Sequence, residues 1–150
     1  MTYLVERLED LRRHLDHLAE IRSEVSDASS LEADFTLHND VLFSLLMVTQ
    51  LVVDVAGELS ARRNLTVRSY RQAVENLQSY PEFPAEVVSR LSRLPGFRNI
   101  VLHEYVDLDY GLVVEALSDP EPVETFLRIC RDLELEEPAR DKERGVHDPG

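Results

Sequence analysis

Two side chains that are able to act together on a phosphate group, Arg98 and His103, lie in the segment 96–105. The guanidinium of an arginine is permanently charged and binds phosphate oxygens through paired hydrogen bonds. Histidine gains and loses a proton near neutral pH. With Asn99 and Tyr105 these residues form the pattern Arg-Asn-x3-His-x-Tyr, which favours proton transfer at a phosphate ester.

The angular separation of the two side chains is an obstacle to this interpretation. On one continuous helix Arg98 would lie about 140° from His103, whereas Asn99 would lie on the side of His103. Two arrangements bring the pair together: a frayed first helical turn that lets the arginine swing round, or a dimer in which two copies face each other. The alternative is that both are surface residues without a shared site.

Histidines also suggest a metal site. His103 and Asp107 are four residues apart and would share a helix face, as the ligands of a zinc-binding His-Glu-x-x-His helix do. Because no third ligand accompanies them, we expect no metal. His14 and His17, near Asp10, flank the apolar face of the first predicted helix and are expected at the surface.

Charge is distributed unevenly along the 150 residues, which we expect to form one domain at residues 1–135. The net charge of −13 argues against a general nucleic-acid coat. Residues 61–98, however, contain seven arginines and three glutamates, a balance of +4. Either these arginines form salt bridges with the acidic excess, or they create a locally positive cleft.

Three features predict a cytoplasmic chain without a membrane span. The lone Cys130 rules out an internal disulfide and fits a reducing compartment. It shares an apolar helix face with Phe126 and Leu133, which predicts a buried thiol. The first residues lack the pattern of a secretion signal, and the richest apolar run, 41–53, is interrupted and too short to cross a bilayer.

Apolar residues recur at helical spacing nearly throughout, which predicts an all-α antiparallel bundle of about five to seven helices without a sheet. A capping box at Ser69, prolines and an N-cap at Asp109 delimit the helices. A turn is predicted at Pro95-Gly96, and a disordered tail at 136–150. The predicted helices cover about 2–26, 38–62, 70–80, 84–94, 97 onward, 109–117 and 122–135.

One long helix carries a polar stripe. Gln50, Asp54 and Glu58 recur every four residues in the otherwise apolar segment 38–62. The stripe either faces solvent or lines a cleft.

The chain from about residue 46 to residue 133 resembles the HEPN superfamily, specifically its HepT-like subgroup. The segments that carry the resemblance are Ser69-Tyr70-Arg71-Gln72-Ala73, Leu94-Pro95-Gly96-Phe97-Arg98-Asn99, Val101-Leu102-His103-Glu104-Tyr105 and Asp109-Tyr110. The resemblance implies a homodimeric helical bundle in which two Arg-x4-His motifs face one cleft. It also implies a metal-independent endoribonuclease that is the toxin of a type VII toxin–antitoxin pair and cuts mRNA or tRNA.

By the same resemblance Arg98 and His103 are catalytic and Asn99 supports them. The implied partner is a minimal nucleotidyltransferase antitoxin, which neutralises the toxin by transferring AMP onto Tyr105. No cofactor is implied. The alternative is a non-catalytic helical dimer that binds a nucleotidyltransferase, which the strong acidity favours because it disfavours long RNA contacts.

Overall fold

The computed structural model describes residues 3–103 and 107–136, and every regular element within these ranges is helical. Two short 3-10 segments, Arg22–Glu24 and Asn76–Ser79, accompany eight α-helices. The predicted all-α fold is confirmed, and the predicted tail lies outside these ranges except for its first residue. The helices are α1 (Tyr3–Ile21), α2 (Ala28–Ala33), α3 (Phe35–Arg62), α4 (Tyr70–Glu75), α5 (Ala85–Leu91), α6 (Leu94–His103), α7 (Tyr110–Ser118) and α8 (Glu121–Glu136).

Helices α1 and α3 pack along each other in antiparallel directions. His17 Nε2 lies 2.7 Å from Asp40 Oδ1, and His14 Nδ1 lies 3.2 Å from Ser44 Oγ, so later residues of α1 meet earlier residues of α3. Burial lowers the pKa of His14, because desolvation disfavours the charged imidazole. The two histidines expected at the surface are therefore half-buried contacts between helices.

Helix α3 is apolar on most sides because its neighbours cover it. By length and composition it is able to cross a membrane, so the prediction that no stretch qualifies was wrong. Within the bundle, however, 61% of its most apolar window is buried, as in the core helix of a folded domain.

The polar stripe of α3 is half-buried and has partners within the protein. Gln50 Nε2 donates to Asp54 Oδ1 at 2.8 Å, and Glu58 lies 3.8 Å from the guanidinium of Arg62. The stripe does not line the large cavity described below. It is thus a partly exposed edge of α3 whose two contacts lie along the helix itself, and it is not the wall of that cavity.

A short helix, α2, occupies part of the segment that was predicted to end the first helix. Helix α1 ends at Ile21, and the side chain of Asp27 accepts a hydrogen bond from the Ser30 N–H at 3.2 Å. Hydrogen bonds from Ser29 and Ser30 lower the pKa of Asp27. Aspartate is a preferred N-cap residue, and here it begins a short helix that the predicted ranges did not include.

Helix α6 begins three residues earlier than the sequence predicts. Pro95 and Gly96, predicted as a turn, lie in its first turn, and the Phe97 N–H donates to the carbonyl of Arg93 at 3.1 Å. Proline is tolerated there because the first N–H groups of a helix have no acceptor within it. Arg98 consequently belongs to the second turn of α6.

The thiol of Cys130 is buried in the core on α8, as predicted. Burial, and next the nearby carboxylate of Glu134, raise its pKa, because both disfavour a thiolate. We expect no reaction of Cys130 with a thiol reagent in the folded protein at pH 8, and complete reaction in guanidinium chloride. Absorbance of the released chromophore measures this, and rapid labelling of the folded protein would contradict it.

Candidate active site on helix α6

Arg98 projects from the second turn of α6 towards α4. It is half-buried, and its guanidinium carbon lies 5.1 Å from the centre of the Tyr70 ring. This geometry is a cation–π interaction, which orients the guanidinium without neutralising it. No carboxylate among residues 3–103 and 107–136 pairs with Arg98, so its hydrogen-bond donors are available to an anion.

His103 is the last residue of α6 and is exposed. Asn99, also exposed, precedes it by four residues, so the two side chains share one face about 6 Å apart along the helix axis. The imidazole therefore projects from the end of a helix with a polar amide one turn behind it. Tyr105, the predicted modification site, lies outside the described residues.

The structure does not bring Arg98 and His103 together within one chain. Helix α6 is continuous from Leu94, so Arg98 is not in a frayed first turn and that arrangement was wrong. The two side chains diverge by about 140° around a helix of this kind. Of the two arrangements that would unite them, the face-to-face dimer is the one still consistent with α6.

The metal interpretation loses its geometric basis. Asp107 lies in a turn, whereas the metal interpretation needs it on the same helix as His103. Within the part of the chain that the structure describes, no three histidine, cysteine, aspartate or glutamate side chains cluster to bind a metal.

Some arginines of residues 61–98 have carboxylate partners in the described residues and others do not. Arg62, Arg71 and Arg90 form ion pairs, with Glu134, Glu75 and Asp119 respectively. The last of these contacts raises the pKa of Arg90. Among the described residues, no ion pair forms at Arg68, Arg93 or Arg98, which leaves cations exposed near α6.

A partly open cavity of about 910 Å³ lies beside α6, and sequence reasoning missed it. Residues of α1 and of every helix from α3 to α8 line it, so no single stretch of sequence reveals it. The one local signal was the arginine excess, since Arg71, Arg90 and Arg93 lie at its wall. Asn99 and Tyr70 also line it.

Solved structures define the class of this helical bundle. It matches a tri-AMPylated HEPN toxin of Shewanella oneidensis in complex with its MNT antitoxin, with a TM-score of 0.75 and 21% identity, over 88% of this chain and 99% of that one. It also matches a toxin–antitoxin structure with AMP-PNP, with a TM-score of 0.74 and 21% identity, over 87% of this chain and 99% of that one. The fold is that of the HEPN toxins.

The particular family follows from the sequence. The model of the ribonuclease HepT-like family matches residues 11–133, and the chain belongs to this family. A relative from Shewanella oneidensis, the mRNA nuclease HepT, is 22% identical over 130 residues, which cover 85% of this chain and 96% of the relative. The resemblance inferred from the motifs around Arg98 and His103 is therefore confirmed.

Proposed function

We propose that the protein is the toxin of a toxin–antitoxin pair and a metal-independent endoribonuclease with Arg98 and His103 as catalytic residues. The observation that carries this proposal is the position of the Arg-x4-His motif on α6 of a HepT-like ribonuclease. The imidazole is exposed and the guanidinium has no carboxylate partner in the described ranges. Both groups are thus available to a phosphodiester.

The chemistry requires no group beyond these side chains and the substrate. RNA carries its own nucleophile, the 2′-hydroxyl, which attacks the adjacent phosphorus and expels the 5′-oxygen of the next nucleotide. His103 moves the protons of this step. Arg98 holds the phosphate oxygens and stabilises the charge that develops on them, and Asn99 orients the imidazole or contacts the RNA.

The active site is shared between two copies. Because Arg98 and His103 diverge on α6, the arginine of one chain and the histidine of the other act on the same phosphate across a symmetric homodimer. The RNA is mRNA or tRNA, and a cytoplasmic location gives access to both. The homologue named as an mRNA nuclease supports mRNA as the first substrate to test.

Cleavage of RNA by the purified protein in EDTA tests this function. We expect shorter RNA products in the presence of the chelator, because no step uses a metal. The alternative, a non-catalytic dimer that binds a nucleotidyltransferase, is favoured by the net charge of −13. Under that alternative, neither mRNA nor tRNA is cleaved. The absence of cleavage products with folded protein would contradict the proposed activity.

Neutralisation by a minimal nucleotidyltransferase antitoxin is expected to depend on Tyr105. The neighbouring structures include an AMPylated toxin bound to such an antitoxin, which supports AMP transfer onto the motif tyrosine. AMP on Tyr105 would add bulk and negative charge seven residues after Arg98 in the motif, and we expect this to keep an RNA phosphate from Arg98. We expect Tyr105→Phe to remain a nuclease but to escape AMPylation.

Intact mass after incubation with the antitoxin and ATP measures the modification at Tyr105. The wild-type protein should gain AMP and lose cleavage, whereas Tyr105→Phe should do neither. Tyr110→Phe, which removes a hydroxyl from a tyrosine on α7, is the matched control and should behave as wild type. AMP on Tyr105→Phe together with loss of cleavage would refute this assignment.

A further inference from the structure

The large cavity borders α6, the helix that carries Arg98 and His103, although neither of these two side chains lines it. On one side its wall includes Tyr70, whose ring lies under the guanidinium of Arg98. On another side it includes Asn99, which shares a helix face with His103. Gly96, also in the wall, lies only about 20° from His103 around α6. A molecule in the cavity therefore lies against Tyr70, which contacts Arg98, and against Asn99, which shares a helix face with His103.

The walls of the cavity are mostly apolar. Leu45 and Val48 of α3 and Phe97 and Ile100 of α6 are among the residues that form them. A volume of about 910 Å³ lies within the range of small-molecule sites and exceeds what one flat aromatic ring requires. The interior is suited to a planar, largely apolar group such as a nucleobase.

Positive charge accompanies these apolar walls. Arg22 and Arg93 line the cavity, and neither forms an ion pair with any residue in the described ranges. The Arg93 carbonyl accepts the first hydrogen bond of α6, so this residue stands at the N-terminus of the helix, the positive end of its dipole. The acidic groups in the wall are mostly engaged: Glu124 binds Arg12, and Asp119 binds Arg90.

We propose that this cavity is a nucleotide subsite for the RNA substrate. A base next to the cleaved phosphate leaves the stack, enters the apolar cavity and packs beside Tyr70, while Arg93 and Arg22 hold backbone phosphates. Proteins recognise single-stranded RNA in this way, with splayed bases on aromatic side chains and arginines along the backbone. The inference rests on the proposed nuclease function and locates its substrate contacts.

Filling the cavity tests the subsite. Gly96 accepts a side chain, since a Cβ atom built on it meets nothing within 4 Å. Gly96→Phe places a ring in the cavity from α6, and Ala19→Phe does so from α1. Ala33→Phe is the matched control, because it adds the same ring at an exposed alanine that does not line the cavity.

Binding is measured by fluorescence anisotropy of a short labelled single-stranded RNA on protein that also carries His103→Ala, which prevents cleavage. We expect Gly96→Phe and Ala19→Phe to weaken binding about tenfold or more, the order of one lost base-stacking contact. Ala33→Phe should bind as the parent protein does. Circular dichroism and solution mass establish that each variant is folded and has the parental assembly.

Removing the positive charge of Arg93 tests its proposed contact with an RNA phosphate separately. Arg93→Ala should weaken binding and lower the slope of log Kd against log salt concentration by about one, as expected for one phosphate contact. Arg128→Ala is its control, because Arg128 is an exposed arginine of α8 outside the cavity. If the two substitutions have equal effects, Arg93 contributes only through the overall charge of the protein. That result would contradict the proposed contact between Arg93 and an RNA phosphate.

The outcomes separate this inference from the proposed function. If the wild-type protein does not cut RNA, the proposed function fails, and the anisotropy measurement still tests the cavity. If it cuts RNA and both filled variants bind and cut at the parental level, only the subsite is wrong. If Gly96→Phe and Ala19→Phe become monomers and also lose RNA binding, the cavity receives a second copy of the chain. That result also overturns the proposal.

Discussion

Replacing His103 by alanine is expected to reduce RNA cleavage by about 10²- to 10⁴-fold, the usual contribution of a positioned general acid–base group. Replacing Arg98 by alanine should cost about 10²- to 10³-fold, because the charge on the phosphate loses its donor. Cleavage of a labelled RNA in EDTA, followed over time, gives both rates. Cleavage near the wild-type rate in both variants would show that these residues of α6 do not form the active site.

These losses should occur without loss of the fold. His103 is exposed at the end of α6 and Arg98 is half-buried against a tyrosine ring, so neither side chain fills the core. Arg128→Ala, which removes another arginine without an ion pair in the described ranges, should retain activity. Arg98→Lys should remain strongly impaired, since lysine keeps the charge but loses the planar fork that pairs with phosphate.

Mixing two inactive variants distinguishes a shared site from a site within one chain. In a heterodimer of Arg98→Ala and His103→Ala, one of the two shared sites keeps its arginine and its histidine. After subunit exchange at equal concentrations, half of the dimers are mixed, so roughly a quarter of wild-type activity should return. A site formed within each chain predicts no recovery, because each chain lacks one partner.

Sequence periodicity was sufficient for the long helices. Helices α1, α3 and α8 each bury an apolar face or nearly their whole surface, so their residues repeat at helical spacing. The predicted ranges of α3 and α8 agree to within about three residues, whereas α1 ends five residues before its predicted end. The short helix α2 buries only Leu31, which gives no periodic signal. Its one local sign was the capping aspartate at residue 27.

The candidate site was predictable in its residue types but not in its arrangement. The motif identified Arg98, Asn99 and His103, and the structure places all three on α6. The helix start was missed because proline and glycine together favour turns, although proline is also common at the beginning of a helix. Tertiary packing brings the cavity walls together from distant segments, so the cavity had no sequence pattern.

The arginines of residues 61–98 show the same limit of prediction from sequence. Sequence gives the local balance of charge but not which carboxylates come near. In the fold, Arg62 reaches Glu134 on α8, 72 residues away, whereas Arg98 reaches an aromatic ring. The salt-bridge interpretation therefore holds for Arg62, Arg71 and Arg90, whereas the positive cleft stays a prediction, because packing decides which partners an arginine meets.

The ion pair of Arg62 with Glu134 leads to the second large expected effect. It joins the end of α3 to α8 with a distance of 3.4 Å, and the two side chains are 19% and 8% exposed. Replacing Arg62 by methionine removes the arginine that faces a buried carboxylate but keeps most of the apolar stem. We expect a loss of about 3 kcal/mol in the free energy of unfolding, the lower end of the range for breaking a buried pair.

Urea denaturation of the single and double variants measures this loss and its cause. Arg62→Met with Glu134→Met should recover most of the stability, because two apolar side chains replace the pair without a stranded charge. Arg71→Ala breaks a pair whose side chains are 72% and 48% exposed and should cost less than about 1 kcal/mol. If Arg62→Met lowers the free energy of unfolding no more than Arg71→Ala does, the buried carboxylate of Glu134 does not need the charge of Arg62. A double variant less stable than Arg62→Met would show instead that Glu134 stabilises the fold through contacts other than the one with Arg62.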